Sequence, residues 1–136
     1  MSEQQAFGIK ELSRFIFDKK HFSSDKMEAK PNAFVPQPKY PRELSVYETS
    51  DLREEDTWTL AQYGRLDKNV KAKASFTYAD FREKSDGLLR QLEIVNNGVP
   101  HPRHCNITNF PTEKSDRHQV ALSLVEISTL ELYLKV

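Results

Sequence analysis

The chain has 136 residues, of which 38% are hydrophobic and 29% charged, and its 20 basic side chains balance its 20 acidic ones. These values are typical of one globular domain spanning residues 1–136 and argue against a disordered chain. Because the net charge is zero and no apolar run approaches the roughly 20 residues of a membrane-spanning helix, we expect neither nucleic acid nor a membrane as a partner.

The first ten residues show no helix or strand pattern, so we expect an irregular start over 1–10. Met1–Phe7 carries an acid and amides rather than the basic region and apolar run of a signal peptide. The chain has one cysteine, Cys105, which excludes a disulfide within the chain and favours a reducing compartment. Together these features predict a cytoplasmic protein.

Aromatic and β-branched side chains in Leu12–Phe17 predict the first strand. Four prolines then fall within eleven residues. Because proline fixes φ and removes a hydrogen-bond donor, we expect a long proline-rich loop over 18–43. Phe34, Val35 and Tyr40 are the apolar side chains expected to anchor this loop to the body of the protein.

Alternating apolar and polar residues in Leu44–Thr49 and Val70–Phe76 predict two strands with one solvated face each. A short helix is expected over Tyr78–Lys84, followed by a further strand over Leu88–Val95. Helix patterns placed between strands are typical of a small sheet covered by helices.

The clearest helix pattern follows the strand at Leu44–Thr49. Asp51 can cap the helix, and Glu54 stands three residues later, as in a capping box. Trp58 and Ala61 share one face at a three-residue spacing, and Gly64 is a typical helix end.

The carboxy-terminal third is predicted to begin with a proline-containing loop over Val99–Pro111. Thr112 or Ser115 can cap a final helix, because apolar residues recur at three- and four-residue spacings after them. Thr129–Val136 alternates, which favours a closing strand over a continued helix. The predicted fold is therefore α+β: a mixed or antiparallel sheet of about four to six strands with two to three helices.

His101-Pro-Arg-His-Cys105 concentrates imidazole, guanidinium and thiol groups in one stretch. The candidate catalytic residues, as acid or base, are His101 and His104. The candidate residues for binding an anion or a partner are Arg103, Asn106 and Lys114, with the amide groups of the following helix start.

The same stretch contains residue types used in two other chemistries. A zinc site would need a second cysteine or histidine pair at a usual spacing, so no metal is expected. A nucleophilic Cys105 would need a neighbouring base, and a small half-buried thiol is the more common case. The sequence also lacks a glycine-rich phosphate loop and a dinucleotide-binding fingerprint, so no cofactor is expected.

The amino-terminal third is locally basic at Arg14, His21, Lys26 and Lys30, with phenylalanines between these residues. This combination can bind single-stranded nucleic acid by stacking and charge. The more common interpretation is that the aromatic rings belong to the core and the charges to solvent.

The phrase His101-Pro-Arg-His-Cys-Asn-Ile107, followed by Phe110-Pro111 and Lys114, resembles a group of small uncharacterised bacterial proteins. They share the pattern H-P-R-H-x-N-I, then W/F-P and a lysine before a helix. Lys30–Phe34 and Leu44–Tyr47 are also similar. The resemblance implies a bacterial cytoplasmic setting and no particular activity.

Without a complete catalytic set, the sequence predicts a small non-enzymatic binding or accessory protein that acts through a protein partner. The alternative is an enzyme acting on a phosphate-bearing or nucleotide substrate, with the chemistry in His101–Cys105.

Overall fold

Eight strands, three α-helices and two 3-10 turns form the part of the chain that the structure describes. The computed structural model describes residues 10–63, 68–83, 90–96, 98–99 and 101–133. The strands are β1 (Glu11–Ile16), β2 (Phe22–Ser23), β3 (Glu28–Ala29), β4 (Leu44–Glu48), β5 (Ala72–Thr77), β6 (Glu93–Asn96), β7 (His104–Thr108) and β8 (Thr129–Leu132). The helices are α1 (Glu54–Tyr63), α2 (Tyr78–Glu83) and α3 (Lys114–Ile127), and the 3-10 turns are Lys19–His21 and Pro31–Phe34.

Six strands form one sheet in the order β6-β7-β4-β1-β5-β8, and β2 pairs only with β3. Every neighbouring pair in the large sheet runs antiparallel. This arrangement confirms the predicted α+β class and selects the antiparallel form of the sheet.

One face of the sheet packs against α2, α3 and the Pro31–Phe34 turn. Leu12 lies opposite Phe76 and Val46 lies opposite Cys105, so all four side chains point into this layer. The other large side chains that are fully buried here are Phe34, Phe81, Leu92, Ile107, Phe110, Val120 and Leu124. This face holds the main core.

Helix α1 covers the opposite face above β1. Trp58 and Ala61 are buried there, which confirms the predicted helix face. The ring of Phe15 lies 6.5 Å from that of Trp58 and 5.6 Å from that of Tyr47, centroid to centroid. These aromatic contacts form a second, smaller core.

The stretch Val99–Pro111, predicted as a loop, contains β7, an interior strand of the sheet. Cys105 and Ile107 are buried on the α3 face, while His104 lies beside Tyr47 on the α1 face. The loop prediction was wrong because the prolines precede and follow the strand in the sequence. None of them removes a donor from its ladder.

Short regular pieces interrupt segment 18–43, which was expected to be one irregular loop. Pro31 occupies the first position of a 3-10 turn, where a missing amide donor costs little. Phe34 is fully buried, as expected of an anchor. Tyr40 is 58% exposed, so the prediction that its side chain anchors the loop was wrong.

The helix starts differ from those predicted. Helix α1 begins at Glu54, so Asp51 lies outside it rather than at its cap. Helix α3 begins after Glu113, whose side chain makes no capping bond, so neither Thr112 nor Ser115 is the cap. The predicted helix ends at Gly64 and Lys84, and residues 1–9 of the irregular start, lie outside the described residues.

Of two further strand predictions, one has the wrong starting residue and the other is confirmed. Strand β6 begins at Glu93, five residues after the predicted start at Leu88. The closing strand is confirmed, because β8 spans Thr129–Leu132 and pairs with β5.

Candidate anion-binding cleft

A cleft opens where β1 and β4 diverge. The two strands are paired only at Leu12–Glu48 and Ser13–Tyr47. Beyond this point the side chain of Arg14 bridges the gap. Its Nη1 donates to the carbonyl of Ser45 at 2.9 Å and its Nε to the carbonyl of Ala33 at 2.9 Å. These two bonds fix the position of the guanidinium at the cleft.

The cleft has a volume of about 470 Å³ and adjoins a second hollow of about 340 Å³. Both volumes are in the range of small-molecule sites. The two hollows share four lining residues, Arg14, Gln37, Ser45 and His104. The charged and titratable groups that line the larger one are Arg14, Asp18, His21, Tyr47, Lys68 and His104.

His21 is brought to the cleft by the 3-10 turn at Lys19–His21. Asp18 caps this turn, and its carboxylate accepts from the amide of Lys20 at 2.9 Å. That amide holds the pKa of Asp18 below its usual value. Burial lowers the pKa of His21, and the positive charges of Arg14 and Lys68 lower it further against the opposing effect of Asp18.

Lys68 is held at the cleft through the last turn of α1. The side-chain amide of Gln62 donates to the carbonyl of Lys68 at 2.9 Å and accepts from the amide of Val70 at 2.7 Å. This pair of bonds fixes the backbone that carries the lysine, while its side chain stays exposed. Lys68 is the second permanent cation of the cleft.

His104 and Tyr47 form the aromatic part of the wall. Their ring centroids lie 5.1 Å apart in an edge-to-face contact, and they face each other across β4 and β7. Burial lowers the pKa of His104 and raises that of Tyr47, so both side chains are neutral near neutral pH. A neutral imidazole can accept or donate a proton toward a bound ligand.

Among its described lining residues, the larger hollow carries more positive than negative charge, in a chain without net charge. Two permanent cations, Arg14 and Lys68, face one carboxylate, Asp18, among its described lining residues. Within a concave, half-buried space, such an excess attracts an anion more strongly than an open surface does.

The basic residue singled out by sequence, Arg103, turns away from this cleft. Its Nη1 lies 2.8 Å from Oε1 of Glu48 and 3.1 Å from the carbonyl of the same residue. The amide of Glu48 in turn donates to the carbonyl of Arg103 at 2.9 Å. Arg103 therefore ties β4 to the start of β7.

His101 braces the same turn. Its Nδ1 accepts from the amide of Arg103 at 3.1 Å, its carbonyl accepts from the amide of His104 at 2.9 Å, and its ring packs edge-on against Tyr63. These contacts favour a structural role for the side chain.

Cys105 is fully buried on the α3 face of the sheet. Burial, with the nearby charge of Glu48, raises the pKa of its thiol to about 11. A nucleophilic cysteine needs the opposite conditions, an exposed thiol and a lowered pKa.

The remaining two candidates are separated from each other. Asn106 lines the smaller hollow, two residues along β7 from His104. Lys114 is exposed at the start of α3. The five-residue strand β7, roughly 16 Å long, lies between the Arg103 turn and the segment leading to α3, and a shared anion site of these residues stays a prediction.

Sequence reasoning missed Lys68 and Tyr47 as lining residues. It noted Arg14 and His21, but only in the nucleic-acid hypothesis. One signal was present: Arg14 falls between Leu12 and Ile16 on the apolar side of a predicted strand. A charge at such a position is unusual unless it has a specific partner or task.

Comparison of the chain with protein-family models, with curated proteins and with solved structures finds no match. Among the described residues, no three histidine, cysteine, aspartate or glutamate side chains are grouped so as to hold a metal ion. No helix within those ranges combines the length and apolar character needed to cross a membrane.

Proposed function

We propose that this protein binds a small anionic ligand, carrying a carboxylate, phosphate or sulfate group, in the cleft between β1 and β4. The observation that carries the proposal is the convergence of Arg14, His21, Lys68 and His104 on one hollow of about 470 Å³. Arg14 would hold the anion through charge-assisted hydrogen bonds, and Lys68 would add a second, more exposed charge.

The contacts within the stretch His101–Cys105 argue against catalysis by these residues. Arg103 is paired with Glu48, and the thiol of Cys105 is buried and protonated. The predicted accessory role is compatible with this proposal, because an accessory protein can carry a ligand to its partner. The protein partner and the bacterial cytoplasm remain predictions.

A sulfate titration tests the proposal, with Lys68→Gln and Lys114→Gln as a matched pair of exposed lysine variants. We expect sulfate, at constant ionic strength set with chloride, to raise the Tm of the wild type and of Lys114→Gln. Lys68→Gln should bind sulfate more weakly, and Arg14→Gln roughly ten- to hundredfold more weakly, since a charge-assisted bond contributes about 1.5–3 kcal/mol.

Each comparison can overturn the proposal. Equal sulfate responses of Lys68→Gln and Lys114→Gln would show that surface charge, not the cleft, attracts the ion. A wild-type Tm that responds equally to chloride and sulfate would exclude a specific anion site. Since Arg14→Gln removes structural bonds too, its fold is checked first by circular dichroism.

A further inference from the structure

A second concave surface lies on the far side of α1, between that helix and the edge strand β8. This groove has a volume of about 1080 Å³. Its described lining residues come from the β2–β3 turn, from α1 with the residue before it, and from β8 with the residue after it: Met27, Arg53, Glu54, Glu55, Trp58, Thr59, Gln62, Leu130, Glu131, Leu132 and Tyr133. Both the groove and the anion cleft include residues of α1, but their described lining residues do not overlap.

The groove has an aromatic wall that already accommodates a cation. The rings of Trp58 and Tyr133 lie 4.8 Å apart, and the ammonium group of Lys73 lies 5.7 Å from the centroid of the Trp58 ring. Lys73 also approaches the carboxylate of Glu131 at 3.6 Å. Aromatic faces beside a carboxylate are the chemistry that recognises lysine and arginine side chains.

Carboxylates crowd the same wall. Glu54 and Glu131 share a side-chain hydrogen bond, which raises the pKa of Glu131 and lowers that of Glu54. Two adjacent carboxylates repel each other when both are charged, and an incoming cation relieves that repulsion. The one guanidinium of the described lining, Arg53, already pairs with Glu55 at 3.2 Å and with Asp56 at 3.0 Å.

We propose that the groove docks a lysine- or arginine-bearing segment of a partner protein. The cationic side chain lies against Trp58 and Tyr133, with its charge between Glu54 and Glu131. Charge complementarity determines the sign of the partner. The described lining includes three carboxylates and one paired guanidinium, and Lys73 forms an ion pair with one of these carboxylates, that of Glu131. The volume of the groove, and a lining that includes Met27 at 49% exposure, suit an extended segment better than a single small amine.

The experiment uses the full chain with hexalysine and hexaglutamate peptides as probes. Trp58 is the single tryptophan of the protein, so its fluorescence reports directly from this groove. We expect hexalysine to change the Trp58 emission in a saturable way at low salt, and hexaglutamate to leave it unchanged. The double variant Glu54→Gln/Glu131→Gln should bind hexalysine at least about tenfold more weakly.

Glu93→Gln is the matched control, because Glu93 is an exposed carboxylate on β6 at the other edge of the sheet. Equal affinities of this control and the double variant would overturn the proposal. Lysine amide binding as tightly as hexalysine would also overturn it, by identifying a small amine as the occupant. Arg14→Gln should bind hexalysine normally, so failure of the anion cleft and failure of this groove are distinguishable.

Discussion

Arg14 and Arg103 both donate hydrogen bonds to main-chain carbonyls, but their guanidinium groups lie in different surroundings. Arg103 also pairs with the largely buried carboxylate of Glu48, so its charge is cancelled inside the fold. The guanidinium of Arg14 donates to the carbonyls of Ala33 and Ser45 and lines a cleft with His21 and Lys68. The surroundings of a basic side chain, more than its residue type, separate an arginine that braces two strands from one that lines a concave space.

The two regions that carry these arginines differ in how their polar groups are brought together. The His101–Cys105 stretch is rich in reactive residue types, but its groups bond to one another, to Glu48 or to the core. The cleft collects its groups from β1, a 3-10 turn, β7 and the segment after α1. Functional groups drawn from several elements around a concave space are the usual arrangement of a ligand site.

The largest effect expected from this contrast concerns Cys105. Its pKa of about 11 leaves far less thiolate than the ordinary value of 9.0, and its side chain is fully buried. We therefore expect the folded protein to react with Ellman's reagent at least about 100-fold more slowly than the urea-unfolded protein. The measurement is the rate of colour release, with Cys105→Ala supplying the background rate.

Rapid labelling of the folded protein would contradict the first half of the comparison. It would show that the His101–Cys105 stretch opens readily and offers a reactive thiol. Thiol chemistry would then return as an explanation for the density of polar groups in that stretch.

The next effect concerns the stability supplied by Arg103. Arg103→Ala should lower the free energy of unfolding by about 2–3 kcal/mol, because it leaves the largely buried carboxyl group of Glu48 without its ion-pair partner. Arg53→Ala is the control, since both members of its ion pair with Glu55 are more than 70% exposed. That variant should change stability by less than about 0.5 kcal/mol. Urea denaturation measures both.

Arg103→Ala should also leave sulfate binding unchanged once the variant is folded. A weaker sulfate response in this variant, at unaltered stability, would place Arg103 in the ligand site. The contrast between the two arginines would then fail.

Local patterns were sufficient to predict much of the fold. Alternation located β4, β5 and β8, and aromatic and β-branched side chains located β1, all to within two residues at their starts; apolar spacing located the buried face of α1. Strand β7 was missed because the prolines around it were given more weight than the alternation within it. Cys105 and Ile107 alternate with His104 and Asn106, and that pattern marks a strand even between prolines.

The cleft was harder to predict, because its residues are distant in sequence. Arg14, Tyr47, Lys68 and His104 meet only through the strand order β7-β4-β1 and the return of the chain after α1. No spacing rule relates such positions. The motif at His101–Cys105 is easily recognised in the sequence because its residues are adjacent. Adjacent residues of an extended strand, however, direct their side chains to opposite faces.

The smallest expected effect is the pH dependence of stability and of sulfate affinity, which involves histidines from both regions. Burial lowers the pKa of His21 and His104 below the ordinary 6.5, so the unfolded chain binds protons that the folded chain does not. The free energy of unfolding is therefore highest above about pH 6.5 and decreases modestly as the pH falls below that value. It becomes constant again below the pKa values that the two histidines have in the folded protein. Sulfate affinity should change in the opposite direction, because protonated imidazoles add positive charge to the cleft.

A double variant, His21→Gln/His104→Gln, should flatten both profiles when urea midpoints and sulfate titrations are compared between about pH 7.5 and about pH 5. His118→Gln, on the exposed surface of α3, should leave both as they are in the wild type. If sulfate affinity in the double variant still rises as the pH falls, other groups bind the ion. The histidines would then belong with Arg103, as parts of the fold rather than of the site.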